Sequence, residues 1–212
     1  MHTTATLERK HFSIRKIPQS KFLKAIANRG TFMMEFLKDW KNVAAILPTT
    51  SRIGQLIASQ IDFQERKVIV EIGPGTGAIS HNIIEKLGPD STMVLIERNA
   101  TFVKVLQAKY SSSRVKIIHG EASQMNDILS SQGIEKVDAL VSSIPMTHLS
   151  KSDKEAFVAS MKSVLKKEAK FFMLLYTKNI IPYLSKHFNV AIKVVRWTFP
   201  LHYVFISTTS PS

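Results

Sequence analysis

The chain has 212 residues, 44% of them apolar, which is enough for one domain with a full hydrophobic core. No run of 18 apolar residues suggests a membrane span, and the lack of cysteine excludes disulfides and thiolate metal sites. The 29 Lys and Arg outnumber the 16 Asp and Glu, and the formal charge of +13 favours anionic partners such as a phosphate backbone or an acidic lipid surface. The seven histidines have no ligand spacing such as HxxxH, so no metal is expected. No charged-then-apolar secretory pattern opens the chain, and a cytosolic compartment is the expectation.

Residues 1–42 hold nine Lys or Arg against three acids, close to half of the net charge. After Pro18 the segment becomes periodic. Phe22, Leu23, Ile26, Met33, Phe36, Leu37 and Trp40 fall along one helical face, Lys21, Lys24, Arg29, Lys38 and Lys41 lie largely off it, and Gly30 bends or divides the helix. Three readings compete: a helix that covers the sheet or roofs a pocket, a nucleic-acid arm, and an amphipathic helix lying in an anionic membrane interface. The expected organisation is a basic helical segment over 1–42, then a single catalytic domain over 43–212.

The apolar run Val68-Ile69-Val70 leads straight into Glu71-Ile72-Gly73-Pro74-Gly75-Thr76-Gly77, where three of the eight glycines of the chain fall within five residues. Ala78 to Leu87 then carries Ile79, Ile83, Ile84 and Leu87 at helical spacing, and Gly88-Pro89 ends it. A strand, a glycine turn and a helix N-terminus make a nucleotide cradle, because glycine lets a ligand approach the backbone and reaches positive φ at little cost. The structural alternative is a tight βα turn with no ligand. Two acids weigh against it: Glu71 before the turn, and Glu97 at the end of Met93-Val94-Leu95-Ile96, 20 residues beyond Gly77, where a second strand presents a carboxylate to ribose hydroxyls. Gly73, Gly75 and Ala78 also satisfy the nicotinamide-binding pattern, so a dehydrogenase competes at this point.

The remaining elements alternate. A helix is expected over Ala100 to Tyr110 with Phe102, Val103, Leu106 and Tyr110 inward, and strands over Val115 to His119 and Val137 to Ser142. A helix over Ser152 to Leu165, a strand over Lys170 to Tyr176 and a helix over Lys178 to His187 follow. A hairpin of Val190 to Trp197 and Tyr203 to Thr208 closes the chain. Such alternation gives an α/β fold, a mostly parallel sheet with helices on both faces.

ExGxGxG over Glu71 to Gly77, with this order of elements, resembles the class I S-adenosyl-L-methionine-dependent methyltransferases. The resemblance implies a Rossmann-like seven-stranded sheet of order 3-2-1-4-5-7-6 with the last strand antiparallel, and S-adenosyl-L-methionine as cofactor. It implies binding by Glu71, Gly73, Gly75, Thr76 and Gly77, by Glu97 at the ribose, by Glu121 at the adenine, and by Arg98, Ala122 and Ser142. Glu121 stands where the family usually has Asp.

Phe36-Leu37-Lys38-Asp39-Trp40-Lys41-Asn42-Val43-Ala44-Ala45-Ile46-Leu47-Pro48-Thr49-Thr50-Ser51-Arg52, taken with Ser142-Ser143-Ile144-Pro145-Met146, resembles bacterial phospholipid N-methyltransferases of the phosphatidylethanolamine type over about residues 32–208. Val43 and Ala45 depart from that pattern, which has Pro and Gly there. The resemblance implies methylation of the phosphatidylethanolamine amine towards phosphatidylcholine, by a monomer docked peripherally on the inner face of the cytoplasmic membrane. Trp40, Thr49, Ser51, Ser143, Ile144, Pro145 and Met146 would hold the substrate; for Thr49 and Ser51 the alternative is a helix N-cap. The rival is the related group of rRNA adenine dimethyltransferases, whose Asn-(Ile/Leu)-Pro-(Tyr/Phe) tetrapeptide reads a flipped adenine. Ser143 lacks the paired donor and acceptor of an amide, and Met146 has no ring to stack, so nucleic acid is disfavoured. A small-amine methyltransferase and a silent membrane-binding relative are further alternatives. Tyr176 is the first candidate to take the proton of the acceptor amine, with His148 and Tyr203 behind it; core packing or a solvated loop is the structural alternative for each.

Overall fold

The described residues of the computed structural model are 47–146, 149–175, 178–195 and 202–209, and of 47–50, 193–195 and 202–209 the backbone alone is described. The expectations for residues 1–42 as a segment, and for Trp40, His148 and Tyr176, lie outside them.

Helix α1 (Leu47–Ala58) precedes β1 (Val68–Ile72), α2 (Ala78–Ile84), β2 (Thr92–Glu97), α3 (Ala100–Lys109), β3 (Val115–His119), α4 (Met125–Ser131) and β4 (Val137–Ser142). Then come α5 (Lys151–Val164), β5 (Leu165–Leu175), α6 (Ile181–Leu184), β6 (Phe188–Val195) and β7 (His202–Thr209). The seven strands form one sheet in the order β3-β2-β1-β4-β5-β7-β6. The first five run parallel, and β7 is antiparallel to both β5 and β6. This is the class I methyltransferase arrangement expected from the sequence.

Strand residues alternate between two cores because successive side chains point to opposite faces. Ile69, Met93, Leu95, Ala139 and Val141 pack with Ile53 and Ile57 of α1, Ile79 and Ile83 of α2 and Leu106 of α3. Val70, Ile72, Val94, Ile96 and Leu140 pack on the other face with Met125 and Leu129 of α4, Phe157, Val158 and Met161 of α5 and Leu184 of α6. The strands that read as near-continuous apolar runs are therefore covered on both sides. Among the described residues no helix is long and apolar enough to cross a membrane.

Three boundaries differ from expectation by three residues or more and one helix is added, each for a local reason. Helix α2 stops at Ile84 rather than Leu87 because the amides of Lys86 and Leu87 bond the carbonyls three residues back, and Arg114 Nη1 takes the Leu87 and Gly88 carbonyls at 2.8 Å each. The helix expected over Lys178 to His187 shrinks to Ile181–Leu184, with Pro182 in its first turn, where the missing amide costs nothing. Strand β5 starts at Leu165 instead of Lys170. Two steps along β4, from Val137 to Ala139, match five along β5, from Leu165 to Lys170, and Glu168 in the extra loop has φ of 64°. Helix α4 was not expected, since Met125 and Leu129 are its only buried side chains and two apolar positions carry little periodicity.

Candidate functional site

The parallel strands deliver their C-terminal ends to one edge of the sheet, the edge where open α/β sheets bind ligands. Ile72 pairs with Ile96 of β2 and with Ser142 of β4, which brings Glu71, Glu97 and Ser142 together there. Glu71 is fully buried and faces the α1–α3 side, in phase with Ile69. Its Oε2 accepts from Ser80 Oγ of α2 at 2.6 Å, while Oε1 has no hydrogen-bond partner among the described residues. Burial pushes the carboxyl up to about 7, against the Ser80 hydroxyl, which holds it down; Glu97 adds to the rise and Lys109 opposes it.

The turn between β1 and α2 holds its three glycines at positive φ, 72° at Gly73, 56° at Gly75 and 77° at Gly77, but their surroundings differ. A Cβ on Gly73 would come within 2.7 Å of Ile144 Cγ2, and one on Gly77 within 2.9 Å of Leu106 Cδ2 and 3.0 Å of Tyr110 Oη. A Cβ on Gly75 would meet nothing within 4 Å among the described residues. Packing requires the outer two, and the space beside Gly75 is the one a ligand can enter.

Glu97, 5% exposed, accepts from Gly75 N at 3.0 Å through Oε2 and from Asn99 N at 2.8 Å through Oε1. It therefore pins the turn to the end of β2, and a carboxylate still has lone pairs free for a ligand hydroxyl. Asn99 in turn caps α3, its side chain accepting from Thr101 N at 2.9 Å. At the end of β4 the buried hydroxyls of Ser142 and Ser143 have no partner among the described residues, although Ser143 N is tied to Ile72 O at 3.0 Å.

The other expected residues divide. Thr76 is half-buried in the turn, and its carbonyl accepts from Lys109 Nζ at 3.4 Å. Arg98 is exposed, with its carbonyl 2.9 Å from His119 Nε2. Glu121 is also exposed and Ala122 half-buried; the Glu121 amide donates to Gln124 Oε1 at 3.2 Å. Ile144 packs against Gly73, and Pro145 is exposed. Met146 departs from the expected lipid-facing position: it is 1% exposed, within the core shared by Phe157 and Met161 of α5. Thr49 and Ser51 lie inside α1, so neither is the N-cap of that helix as its bounds stand. Tyr203 pairs with Leu175 at the end of β5, which places its backbone at the same edge of the sheet.

Three residues of the site were missed. Ser80 buries a hydroxyl on the apolar face of α2, and Lys109 and Tyr110 reach from the end of α3 to the Gly77 carbonyl at 3.3 and 3.0 Å. Only Tyr110 left a sequence signal, its inward phase on the helix.

The model of the family "Ribosomal RNA adenine dimethylase" matches residues 26–161. The ornithine lipid N-methyltransferase of Singulisphaera acidiphila is 26% identical over 135 residues, 63% of this chain and 70% of that protein. The ribosomal RNA small subunit methyltransferase A of Mycoplasma mycoides subsp. mycoides is 28% identical over 91 residues, which are 42% of this chain and 33% of that protein. The crystal structure of TrmN from Thermus thermophilus matches 78% of this chain and 51% of its own with a TM-score of 0.60 at 15% identity, a likeness of fold. The chain thus spans a third to a half of two of these relatives.

The cofactor is S-adenosyl-L-methionine. The residues present fit it. Its amino-acid end carries an ammonium that suits the unpartnered oxygen of Glu71, its ribose suits Glu97, and the open space at Gly75 admits a ligand against the turn.

Proposed function

The chain belongs to the ribosomal RNA adenine dimethylase family and is an S-adenosyl-L-methionine-dependent methyltransferase, and we propose that its acceptor is the primary amine of a lipid headgroup, phosphatidylethanolamine first, which it methylates towards phosphatidylcholine. The observation that carries this reading is Met146. The position where an adenine-reading tetrapeptide would present an aromatic ring holds a thioether at 1% exposure inside the core, and the preceding Ser143 offers a hydroxyl rather than an amide. A primary amine needs neither ring nor amide. The likeness to an ornithine lipid N-methyltransferase, a protein named for a lipid amine, supports the same class of acceptor.

S-adenosyl-L-methionine supplies a sulfonium methyl that passes to an amine lone pair in one in-line displacement. The protein contributes position and charge. Glu71 holds a cation at the end of β1, Glu97 fixes the turn and the ribose together, and Ser143, just beyond the end of β4, is proposed to offer its hydroxyl to the acceptor. The acceptor ammonium must first lose a proton, and Tyr176, His148 and Tyr203 are the proposed recipients. Trp40, Thr49 and Ser51 are proposed to hold the headgroup.

The same reading puts the enzyme on an anionic membrane surface. Nine basic residues against three acids in residues 1–42 give a net charge of six there, and at about 1 kcal/mol per basic residue near an acidic leaflet this is enough for reversible docking. Peripheral association with the inner face of the cytoplasmic membrane follows. The family and the charge favour one second reading, methylation of adenine in RNA.

The experiment is transfer of labelled methyl to three acceptors: anionic vesicles containing phosphatidylethanolamine, the same vesicles with ornithine lipid, and an adenine-bearing RNA hairpin. Label is expected in phosphatidylethanolamine. Label in ornithine lipid alone would move the headgroup and keep the lipid-amine class; label in RNA alone would overturn it.

A further inference from the structure

We propose that Lys109 and Tyr110, the last residues of α3 and its C-cap, are positioning residues that hold the glycine turn in its ligand-receiving shape from behind. Their anchor is the Gly77 carbonyl, which accepts three bonds: from His81 N at 3.1 Å as the first turn of α2, from Tyr110 Oη at 3.0 Å, and from Lys109 Nζ at 3.3 Å. Lys109 Nζ also reaches the Thr76 carbonyl at 3.4 Å and stands 5.0 Å from the centre of the Tyr110 ring, so the two side chains brace each other. Both act on carbonyls of the turn, whereas the Gly75 amide goes to Glu97.

This bracing is needed because the turn is held poorly by its own sequence. Residues at φ of 56° and 77° are glycine, the residue with the most backbone freedom to lose, and a turn that orders only on binding would weaken binding by that amount. Gly77 lacks a Cβ where one would strike Leu106 and Tyr110, so the turn and α3 are fitted to each other. Burial, with Glu71 and Glu85 near, pushes the Tyr110 hydroxyl up, which keeps it a donor near neutral pH.

Lys109 has a second effect through charge. Glu71 is approached by Ser80 from α2, by Glu97 from β2 and by Lys109 from α3, and of these Lys109 is the cation that holds its carboxyl down. Burial holds Lys109 below its ordinary range, and Glu71 opposes that shift.

The inference rests on the cofactor assignment, and the test separates the two. S-adenosylhomocysteine is titrated calorimetrically into the full-length wild type, Tyr110→Phe, Lys109→Met and Lys109→Arg, from pH 6 to 9. Tyr110→Phe and Lys109→Met should each raise Kd by roughly three- to tenfold, the size of one hydrogen bond, with stoichiometry unchanged. Lys109→Arg should return it to within about twofold because the charge and donors remain. Ligand ammonium favours ionised Glu71, so affinity should rise with pH through the Glu71 titration, and Lys109→Met should move that midpoint upward. Equal Kd values in all four proteins, or a falling stoichiometry at constant Kd, would reduce both residues to fold stability and overturn the proposal. No binding by the wild type would instead remove the cofactor assignment and the proposal with it.

Discussion

Glu71 and Asp138 are both buried carboxylates of the central sheet, one near the end of β1 and the other near the start of β4, and the fold treats them in opposite ways. Asp138 is 4% exposed with both oxygens occupied: Lys166 Nζ lies 2.9 and 3.0 Å from them, and the amides of Val68 and Lys67 donate at 2.9 and 3.2 Å. Glu71 is more deeply buried and receives one hydroxyl. A carboxylate whose partners all come from the chain closes an edge of the sheet, whereas one left half-satisfied is a group waiting for a partner from outside. The unpartnered hydroxyls of Ser142 and Ser143 lie at the same end as Glu71. Loss at one end should therefore appear in stability, and loss at the other in ligand affinity.

The largest effect is expected at the receiving end. Gly75→Val fills the open side of the turn and forces a β-branched residue to φ of 56°. Calorimetry should show S-adenosylhomocysteine binding weakened by more than about 100-fold, since ligand and side chain compete for one space, while the free protein loses about 1–2 kcal/mol from backbone strain. Retained binding would show that the ligand approaches elsewhere.

Asp138→Ala should give the converse. It takes the acceptor from the amides of Lys67 and Val68 and removes the carboxylate beside Lys166, and chemical denaturation should show a loss of about 2–4 kcal/mol. The lower part of that range is favoured because Lys166 is 43% exposed and its charge is screened. The Kd for S-adenosylhomocysteine should stay within about twofold, and a larger rise would couple the two ends of the sheet.

These two variants also mark how much could be read from sequence. Strands buried on both faces, the glycine turn and the acid ending β2 leave local patterns of apolar runs, glycine spacing and interval, so the strands and the place of Glu71, Glu97 and Gly75 were legible, whereas the strand order came from the resemblance to class I methyltransferases. The partners of Asp138 were not, because Lys166 is 28 residues away and Lys67 and Val68 are 71 and 70 away, and no local pattern reports a bond closed by the sheet. Lys109 was equally silent, since a lysine at a helix end reads as a solvated charge. Met146 misled because a methionine after a strand suits an apolar pocket and a core equally well, and its packing with Phe157 and Met161 is a long-range contact that no local pattern reports.

Glu71→Gln should raise stability where Asp138→Ala lowers it. A carboxyl that titrates at about 7 when folded, and near 4.5 in an open chain, binds its proton more tightly in the folded state. Its contribution is present below 4.5 and is lost as pH rises to about 7, an order of about 3 kcal/mol for the free protein, with no further change above. Glu71→Gln should abolish that fall and leave the variant more stable than wild type at pH 8 by up to the same amount. Its affinity for S-adenosylhomocysteine should drop by roughly tenfold, the loss of one charged partner. Denaturation curves from pH 4 to 8 beside calorimetry at pH 8 would check both. A variant less stable at pH 8 would make Glu71 structural.

The smallest effect should come from Ser142→Ala and Ser143→Ala. A buried hydroxyl without a partner was desolvated on folding and gained no bond in return, so removing it spares that cost and leaves a void too small to matter. Each variant should therefore be as stable as wild type or more stable by up to about 1 kcal/mol, unlike a typical buried polar substitution. The hydroxyls should differ in what they serve. Ser142 lies in register with Ile72, beside the turn, and its loss should raise the Kd for S-adenosylhomocysteine by about two- to fivefold, within the range of one neutral hydrogen bond. Ser143 lies one residue further along, where the chain leaves the sheet, and its loss should leave that Kd unchanged and raise the KM for phosphatidylethanolamine in vesicles. If both variants lose stability, water or the chain itself satisfies the hydroxyls, and the receiving end of the sheet narrows to Glu71 and the space at Gly75.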